Sequence, residues 1–179
     1  MRFLLILGAM LTLAACTGKP SLDDDKLSDA DLNLEEFFEG EAVAYGQFQD
    51  VFGTVRRRFE VEIDGKWDGE TLTLTEDFLY EDGATERRVW TLTKTGAETW
   101  QGTAPGVIGT ATGEERGDTF NWVYTIDLPI PSADGTVETM RVSFDDWMWL
   151  LSEDRLLNKA YVRRFGVDIG EVVIFFEKR

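Results

Sequence analysis

Apolar and polar residues alternate with a period of two along most of the chain after Gly40. In the segment 119–128 one face collects the apolar residues Phe120, Trp122, Tyr124, Ile126 and Leu128, and Thr, Asn and Asp residues fall on the other face. A period of two is typical of β-strands that are half buried. The pattern therefore predicts strands that present one face to the protein interior.

Ten segments show strand character and are separated by short turns that contain Gly or Asp. They are 41–50, 54–64, 70–80, 84–94, 98–104, 107–115, 119–128, 136–151, 155–165 and 167–178. Turns such as Asp64-Gly65, Asp82-Gly83 and Asp134-Gly135 are typical of tight hairpins. The sequence therefore predicts an all-β fold, an up-and-down antiparallel meander that closes into a roughly ten-stranded, lipocalin-like barrel.

A short helix precedes the first strand. Asn33 followed by Glu36 is typical of a helix cap, and Gly40 ends the helical segment 34–39. Leu34, Phe37 and Phe38 are the apolar residues of this segment. We expect them to plug one end of the barrel.

The apolar run 139–151, which we interpret as the central strand of the domain, contains two adjacent acids, Asp145 and Asp146. Because successive residues of a strand point to opposite faces, one of the two must point toward the core. It then either meets a partner there or lies at a bulge.

Alternation places four charged residues on the interior face, Arg57, Glu76, Arg88 and Asp146. Buried charges are costly unless paired, so we expect them to meet in one network. The network either fixes strand register alone or forms the polar floor of a ligand cavity, and a single bulge would instead turn these residues outward. On the ligand hypothesis, Arg57 or Arg88 faces a carboxylate or phosphate head group. The ligand-binding set is then Arg57, Glu76, Arg88, Trp90, Phe120, Trp122, Tyr124 and Asp146.

Composition argues against several classes of function. The chain has 34 acidic and 18 basic residues, a formal net charge of -16 and no His. The charge opposes binding to nucleic acid, and without His the chain lacks the commonest general base and transition-metal ligand. The paired acids at 76–77, 114–115 and 145–146 are strand neighbours that point to opposite faces, which does not suit two acids sharing one bond. We expect no enzyme activity, no catalytic residues, no cofactor and no metal site.

The start of the chain has the features of an export signal. Arg2 precedes an apolar stretch, residues 3–13, that is too short to span a bilayer and has the length of a signal-peptide core. Residues 13–16 (LAAC) contain the single Cys of the chain and resemble the lipobox of bacterial lipoproteins. That resemblance implies cleavage before Cys16, lipidation of its thiol and acylation of the new amino group, for example with palmitate. By the same resemblance, residue 17 is Thr and not the Asp that typically retains such lipoproteins in the inner membrane, which implies an outer-membrane anchor with the protein facing the periplasm.

The chain is therefore divided into a signal peptide (1–15), a lipid-anchored flexible tether (16–33) and a β-barrel domain (34–179). The tether is rich in Gly, Pro, Ser and Asp, a composition typical of solvated linkers. Its acids lack the central Gly and the distal Glu of an EF-hand, so we expect no calcium site.

Several short motifs together resemble a family of proteobacterial lipoproteins classed as a domain of unknown function. They are the segments 34–40 (LEEFFEG), 67–69 (WDG), 76–78 (EDF), 87–90 (RRVW) and 144–149 (FDDWMW). The resemblance implies at most a lipid-related role, because the family has no established activity and no catalytic residues to carry over. In strand count and pattern the meander also resembles lipocalins and fatty-acid-binding proteins, but likeness of fold does not carry function.

The sequence thus predicts a lipid-anchored periplasmic barrel that binds or carries a lipid or other amphiphile and attaches to the membrane through Cys16. The alternative is a structural or interaction lipoprotein of the cell envelope, with a filled barrel and no ligand. These hypotheses differ in whether the interior contains a cavity.

Overall fold

The computed structural model describes residues 18–26, 28–131 and 136–179. In these residues one short helix precedes ten antiparallel strands, and each strand pairs with the next along the chain. The first strand also pairs with the last, from Ala42 opposite Lys178 to Asp50 opposite Gly170, so the sheet is closed. The predicted ten-stranded up-and-down barrel is confirmed. The predicted signal peptide, Cys16 and the Asp134-Gly135 turn lie outside the described residues.

The helix and strands have the following bounds. Helix α1 is Leu34–Phe38, and the strands are β1 Gly40–Asp50, β2 Val55–Trp67, β3 Thr71–Tyr80, β4 Thr85–Lys94, β5 Thr99–Thr103, β6 Ala111–Arg116, β7 Thr119–Pro131, β8 Val137–Ser152, β9 Arg155–Arg164 and β10 Val167–Lys178.

Predicted boundaries of β2, β6 and β7 are wrong by three or four residues, and β7 ends at Pro131 and not at residue 128. Asp64-Gly65 lies within β2 and is not a turn, because the strand continues to Trp67 and pairs with β3 from Phe59 to Trp67. The sixth strand begins at Ala111 and not at residue 107. In the segment between β5 and β6, Val107 makes only an isolated bridge to Ile126. Gly106 and Gly109 in this segment adopt positive φ angles, which interrupt an extended strand.

Alternate hairpins lie at opposite ends of an up-and-down barrel. We call the end that contains α1 and the β2–β3, β4–β5, β6–β7 and β8–β9 turns the helix end. We call the other end, with the β1–β2, β3–β4, β5–β6 and β9–β10 turns, the end of β7 and the start of β8, the mouth.

Helix α1 closes the helix end. Leu34, Phe37 and Phe38 are buried, as predicted, and belong to the hydrophobic core. The backbone N–H of Leu34 donates to Oε1 of Glu115 at 2.7 Å, which fixes the start of the helix to β6. A Cβ at position 65 would overlap the carbonyl oxygen of Phe38, so Gly65 allows the end of the helix to lie against β2. No helix in the described part of the chain is long and apolar enough to cross a membrane.

The buried side chains form two clusters. The larger, at the helix end, contains residues of α1 together with Leu72, Trp100, Phe120 and Leu156. The smaller contains Ile126, Val142 and Val162, with partly buried residues of β1, β7, β8 and β10 packed against it. Tyr124 packs against both clusters.

Most of the described part of the predicted tether contacts the outside of the barrel, whereas Leu32 is buried in the larger hydrophobic cluster. Lys19 pairs with Asp168 of β10 at 3.2 Å, near the mouth. Farther along, Ser28 donates to Asp118 at 2.9 Å and the backbone N–H of Leu32 donates to the Gly117 carbonyl at 2.6 Å, both at the helix end. The segment therefore follows the barrel wall from the mouth side to the helix end. The division of the chain into tether and domain remains a prediction.

Candidate functional site

The barrel encloses a cavity of about 470 Å³. Its lining extends from Leu34 and Phe38 of the plug to Leu128, Met140 and Ile169 toward the mouth. The eight residues predicted to bind a ligand, Arg57, Glu76, Arg88, Trp90, Phe120, Trp122, Tyr124 and Asp146, all line this cavity. Their common location is established, and their binding role remains a prediction.

Strand β8 places Asp146 inside the barrel and Asp145 outside. Asp146 is only 7 % exposed. Its Oδ1 accepts a hydrogen bond from Nδ2 of Asn158, on the adjacent strand β9, at 3.4 Å. Asp145 instead accepts from Nδ2 of Asn121 at 3.0 Å. The inward acid therefore meets a partner, and β8 pairs with β7 through this region without a bulge.

Glu76 and Arg88 are directly opposite each other on β3 and β4. Arg88 donates from Nη2 to Oε1 of Glu86 at 2.7 Å, and the hydroxyl of Tyr80 donates to Oε2 of the same Glu86 at 2.8 Å. Arg88 also lies over the Phe78 ring, 4.9 Å from its centroid. The Arg88 charge is therefore already matched by carboxylates of its own and the adjacent strand.

Arg57 departs from the expectation of a single interior network. Although it lines the cavity, its side chain is 41 % exposed, and it pairs with Asp82 of the β3–β4 turn at 3.3 Å. Its guanidinium stacks over the Tyr80 ring at 3.4 Å. The period of two predicted correctly that Arg57 points toward the cavity. The residue is exposed because it lies near the mouth end of β2, where the cavity meets solvent. Arg57 therefore marks where the cavity meets the outside.

Burial changes the acidity of the two interior acids. Desolvation raises the pKa of Glu76 to about 7, against the opposing attraction of Arg88. Desolvation also raises the pKa of Asp146 to about 7, although hydrogen bonds with Asn158 and Tyr124 work in the other direction. Glu76 keeps some accessible surface because it lines the cavity, but it lies deep in the barrel, where loss of water dominates.

The charged groups nearer the mouth remain ionised. Burial acts against the charge on Glu86, yet the adjacent Arg88 holds the pKa of Glu86 below its usual value. Burial likewise opposes the charge on Arg88, but attraction to Glu76 raises the pKa of Arg88. Burial, together with the Glu86 carboxylate, raises the pKa of Tyr80 to about 12, so its hydroxyl stays a hydrogen-bond donor.

Among the described residues that line the cavity, two buried acceptor atoms have no hydrogen-bond partner, Oε2 of Glu76 and Oδ1 of Asn158. Asn158 is only 1 % exposed, and both residues line the cavity. An unpaired buried polar atom costs about 1–3 kcal/mol. The cavity wall therefore presents acceptors that a hydrogen-bond donor would satisfy.

Aromatic rings form one side of the cavity. Trp90 meets Trp122 edge to face at 5.8 Å and Tyr124 at 5.1 Å between ring centroids. Phe120 stacks on Trp122 at 5.8 Å, and Tyr124 stacks on Phe144 at 5.0 Å. These contacts hold the rings in place without using the hydroxyl of Tyr124, so the wall is preformed.

Sequence reasoning missed Glu86 and Asn158 as cavity residues. Glu86 shares the inward face of β4 with Arg88, and Asn158 shares the inward face of β9 with Leu156 and Ala160, so the same alternation would have identified both. Glu86 changes the predicted balance of two positive and two negative charges, because three carboxylates now accompany Arg88 in the lumen. No group of three or more acidic or Cys side chains among the described residues is arranged to hold a metal ion.

Comparison with known families places the chain in a family without an assigned function. The family described as "Protein of unknown function (DUF3833)" matches residues 10–178. This finding confirms the resemblance to a family of unknown function inferred from the short motifs. A comparison with curated proteins gave no match.

Solved structures resemble the chain in fold. The S-type phycobiliprotein lyase CPES from Guillardia theta has a TM-score of 0.58 and 9% sequence identity, over 83% of this chain and 93% of the lyase. A redesigned β-barrel has a TM-score of 0.43 and 9% identity, over 87% of this chain and 99% of that barrel. At such identity the first match shows a shared barrel fold, and the second is too distant to support an argument.

Proposed function

We propose that this chain, which belongs to the DUF3833 family of proteins of unknown function, is a binding protein that holds an amphiphilic ligand inside its barrel, and not an enzyme. The observation that carries the proposal is the cavity of about 470 Å³. Small-molecule sites typically measure ~300–1,000 Å³ and combine an apolar wall with a few polar groups that orient the ligand. The cavity combines these features, which favours a ligand over the alternative of a filled barrel.

The apolar part of the ligand would contact both hydrophobic clusters. The cavity reaches Trp90, Phe120 and Trp122 in the larger cluster and Val142 and Val162 in the smaller. Transfer of an acyl or polycyclic group from water to this wall is favourable by about 25 cal/mol per Å² of buried apolar area.

The polar part of the ligand would carry hydrogen-bond donors. Three carboxylates, Glu76, Glu86 and Asp146, accompany Arg88 in the lumen, and Glu86 already pairs with Arg88 at 2.7 Å. A hydroxyl, amide or ammonium group would satisfy the unpaired acceptors of Glu76 and Asn158. A carboxylate or phosphate, the head group expected from the sequence, would find Arg88 already paired with Glu86 and would be repelled by Glu76 and Asp146 to the extent that these acids, with pKa values of about 7, are ionised.

Native mass spectrometry on the full chain, isolated from bacterial envelopes in mild detergent, tests the proposal. We expect a bound amphiphile that survives purification. Ala160 is buried and lines the cavity, so Ala160→Phe should displace that ligand. Val123→Phe adds an aromatic ring on the exposed outer face of β7 and is the matched control. Absence of any ligand, or equal retention by both folded variants, would refute a luminal site.

A second experiment separates the head-group hypothesis from the existence of the site. A dansyl-labelled alkylamine and the matching dansyl-labelled alkanoic acid are titrated into delipidated protein. We expect the amine to bind more tightly, and Glu76→Gln to weaken its binding. Asp77→Asn is the control, because it removes an outward carboxylate that pairs with Arg87 at 2.6 Å, and it should leave binding of the amine unchanged. Tighter binding of the acid would overturn the head-group assignment and leave the luminal site intact.

We also propose that the protein is anchored in the outer membrane through Cys16 and faces the periplasm. The support is the signal-like stretch 3–13 followed by the lipobox-like residues 13–16. Cys16→Ser should release the protein from the membrane fraction or leave an uncleaved precursor. A variant that is still processed and membrane-bound would contradict the anchor.

A further inference from the structure

Exposed apolar side chains are concentrated at the mouth of the barrel. Phe52, at the tip of the β1–β2 turn, is 88 % exposed, and Phe165, at the tip of the β9–β10 turn, is 90 % exposed. Among the described residues, six further large apolar residues are exposed at this end, namely Val51, Val55, Leu79, Ile108, Val137 and Val167. At the helix end, Leu151 is the one comparable residue among those that the structure describes. Apolar groups clustered in this way mark an interaction surface.

Phe165 occupies a backbone conformation that disfavours a bulky residue. Its φ is 52° and that of Gly166 is 79°, so both central residues of the β9–β10 turn are left-handed. Asn or Asp followed by Gly is the usual choice for such a turn, and a phenylalanine there is uncommon. The ring gains little by packing within the protein, because it is exposed. The exposed ring is therefore better explained by a contact with a partner outside the chain than by a role in the fold.

Acidic and basic side chains are close to balanced among the described residues of the mouth, although the protein has a net charge of -16. Acids of the mouth turns pair with arginines, in the pairs Asp50–Arg56 at 2.6 Å, Asp82–Arg57 at 3.3 Å, Glu81–Arg58 at 4.0 Å and Asp168–Arg163 at 2.9 Å. Arg164, next to Phe165, adds a further positive charge and lies 5.0 Å from that ring. The surface can thus approach anionic phospholipids without the repulsion that the rest of the chain would cause.

The described chain begins on the mouth side of the barrel. Lys19 contacts Asp168, the second residue of β10, and lies 4.4 Å above the Tyr161 ring. Cys16, the proposed lipid attachment site, precedes Gly18 by two residues. An extended chain covers at most ~3.3–3.6 Å per residue. The anchor and the exposed rings would therefore belong to the same side of the molecule.

From these observations we propose that the mouth docks onto the phospholipid bilayer that holds the lipid anchor, with Phe52 and Phe165 inserted at the interface. Aromatic and aliphatic side chains flanked by arginines suit this boundary between acyl chains and head groups. The docked barrel opens its cavity toward the bilayer, so an amphiphile can pass between the two without crossing water. The proposal rests on the anchor, but it does not depend on which ligand occupies the cavity.

Site-specific fluorescence on the lipidated full chain tests this orientation. Phe52→Cys, Phe165→Cys and Leu151→Cys are each labelled with bimane and reconstituted into phosphatidylethanolamine–phosphatidylglycerol vesicles. Because Cys16 is the single natural Cys and carries the anchor, the introduced thiol takes the label. Phospholipids with a doxyl group on the acyl chain should quench bimane at positions 52 and 165 at least about twofold more than at 151, as expected for groups at the acyl boundary.

Flotation of the same vesicles distinguishes failure of docking from failure of the anchor. Flotation with equal quenching at all three positions, or stronger quenching at 151, overturns docking by the mouth. Protein that does not float refutes both the anchor and the docking. The variant Phe165→Asn separates a role of Phe165 in docking from a role in folding, because the two roles predict different changes in unfolding temperature and quenching. We expect this variant to unfold at the same or a higher temperature and to reduce quenching at position 52. A lower unfolding temperature with unchanged quenching would assign Phe165 to the fold alone.

Discussion

Replacement of Asp146 by Asn should stabilise the barrel, and increasingly so as the pH rises. Burial moves the pKa of Asp146 from 3.8 to about 7. Between about pH 4 and about pH 7 the folded state therefore retains a proton that the unfolded chain has lost. The stability contributed by the neutral acid is fully present below the unfolded pKa and is lost as the pH rises through the folded pKa of about 7. Each tenfold change in acidity corresponds to about 1.4 kcal/mol, which makes the ionised Asp146 about 4 kcal/mol costly above pH 7.

Asn is nearly isosteric with the protonated acid and still accepts the hydrogen bond from Asn158, so it removes the charge with little change in packing. We expect the free energy of unfolding of Asp146→Asn to exceed that of the wild type by about 4 kcal/mol at about pH 8 and by about 1–2 kcal/mol at about pH 5. Urea denaturation followed by tryptophan fluorescence at both pH values measures this difference.

The neighbouring Asp145 gives a matched control, because it carries the same carboxylate on the outer face of β8 and accepts a hydrogen bond from Asn121. Asp145→Asn should change the free energy of unfolding by less than about 1 kcal/mol at either pH. The reasoning is refuted if the gain from Asp146→Asn is independent of pH or is larger in acid.

Three further predictions concern the interior charges, the helix plug and the core of the barrel. Arg88→Ala should lower the free energy of unfolding by about 3–5 kcal/mol, because it leaves Glu86 and Glu76 without their cation, whereas Arg57→Ala at the exposed mouth should cost about 1 kcal/mol or less. Gly65→Ala should lower the unfolding temperature, because the added methyl group displaces the Phe38 backbone at a cost of about 1–3 kcal/mol. Phe120→Ala should cost about 3–5 kcal/mol in chemical denaturation, since the ring is 1 % exposed.

Each of these expectations has a control and a contradicting result. Equal losses for Arg88→Ala and Arg57→Ala would mean that depth in the barrel does not matter. Gly18→Ala, where an added Cβ meets nothing within 4 Å, should leave the unfolding temperature unchanged, and an identical loss at both glycines would contradict the clash. For Phe120, the exposed Val123→Ala is the comparison, and a loss no larger than that of Val123→Ala would show that the ring is not part of the core.

Much of the fold follows from local alternation, because the period of two decides which face each side chain takes. It correctly directed Glu76, Arg88 and Asp146 into the lumen, and with the hairpin turns it fixed the number and order of strands. It does not determine how far along the barrel axis a side chain lies. Arg57 shows the difference, because it has the inward face and yet is 41 % exposed at the mouth.

Other features depend on contacts between residues distant in sequence. Asp64-Gly65 has the composition of a turn, but Gly65 lies within a strand where the end of α1 passes too close for a Cβ. The size of the cavity also has no local signature, since it depends on how strands on opposite walls fill the space between them. Neither the plug contact nor the cavity volume was accessible from the pattern alone.

The seam between β1 and β10 makes assembly of the barrel a late event. Its ladder joins residues 42–50 to residues 170–178, near the two extremes of the domain sequence. Pairing over such separations folds slowly, because a large loop must be ordered first. A chain emerging amino end first would expose the unsatisfied backbone groups of β1 until the last dozen residues arrived. Any cleavage within β10 should therefore leave two open sheet edges, and self-association rather than simple loss of a strand would be the consequence.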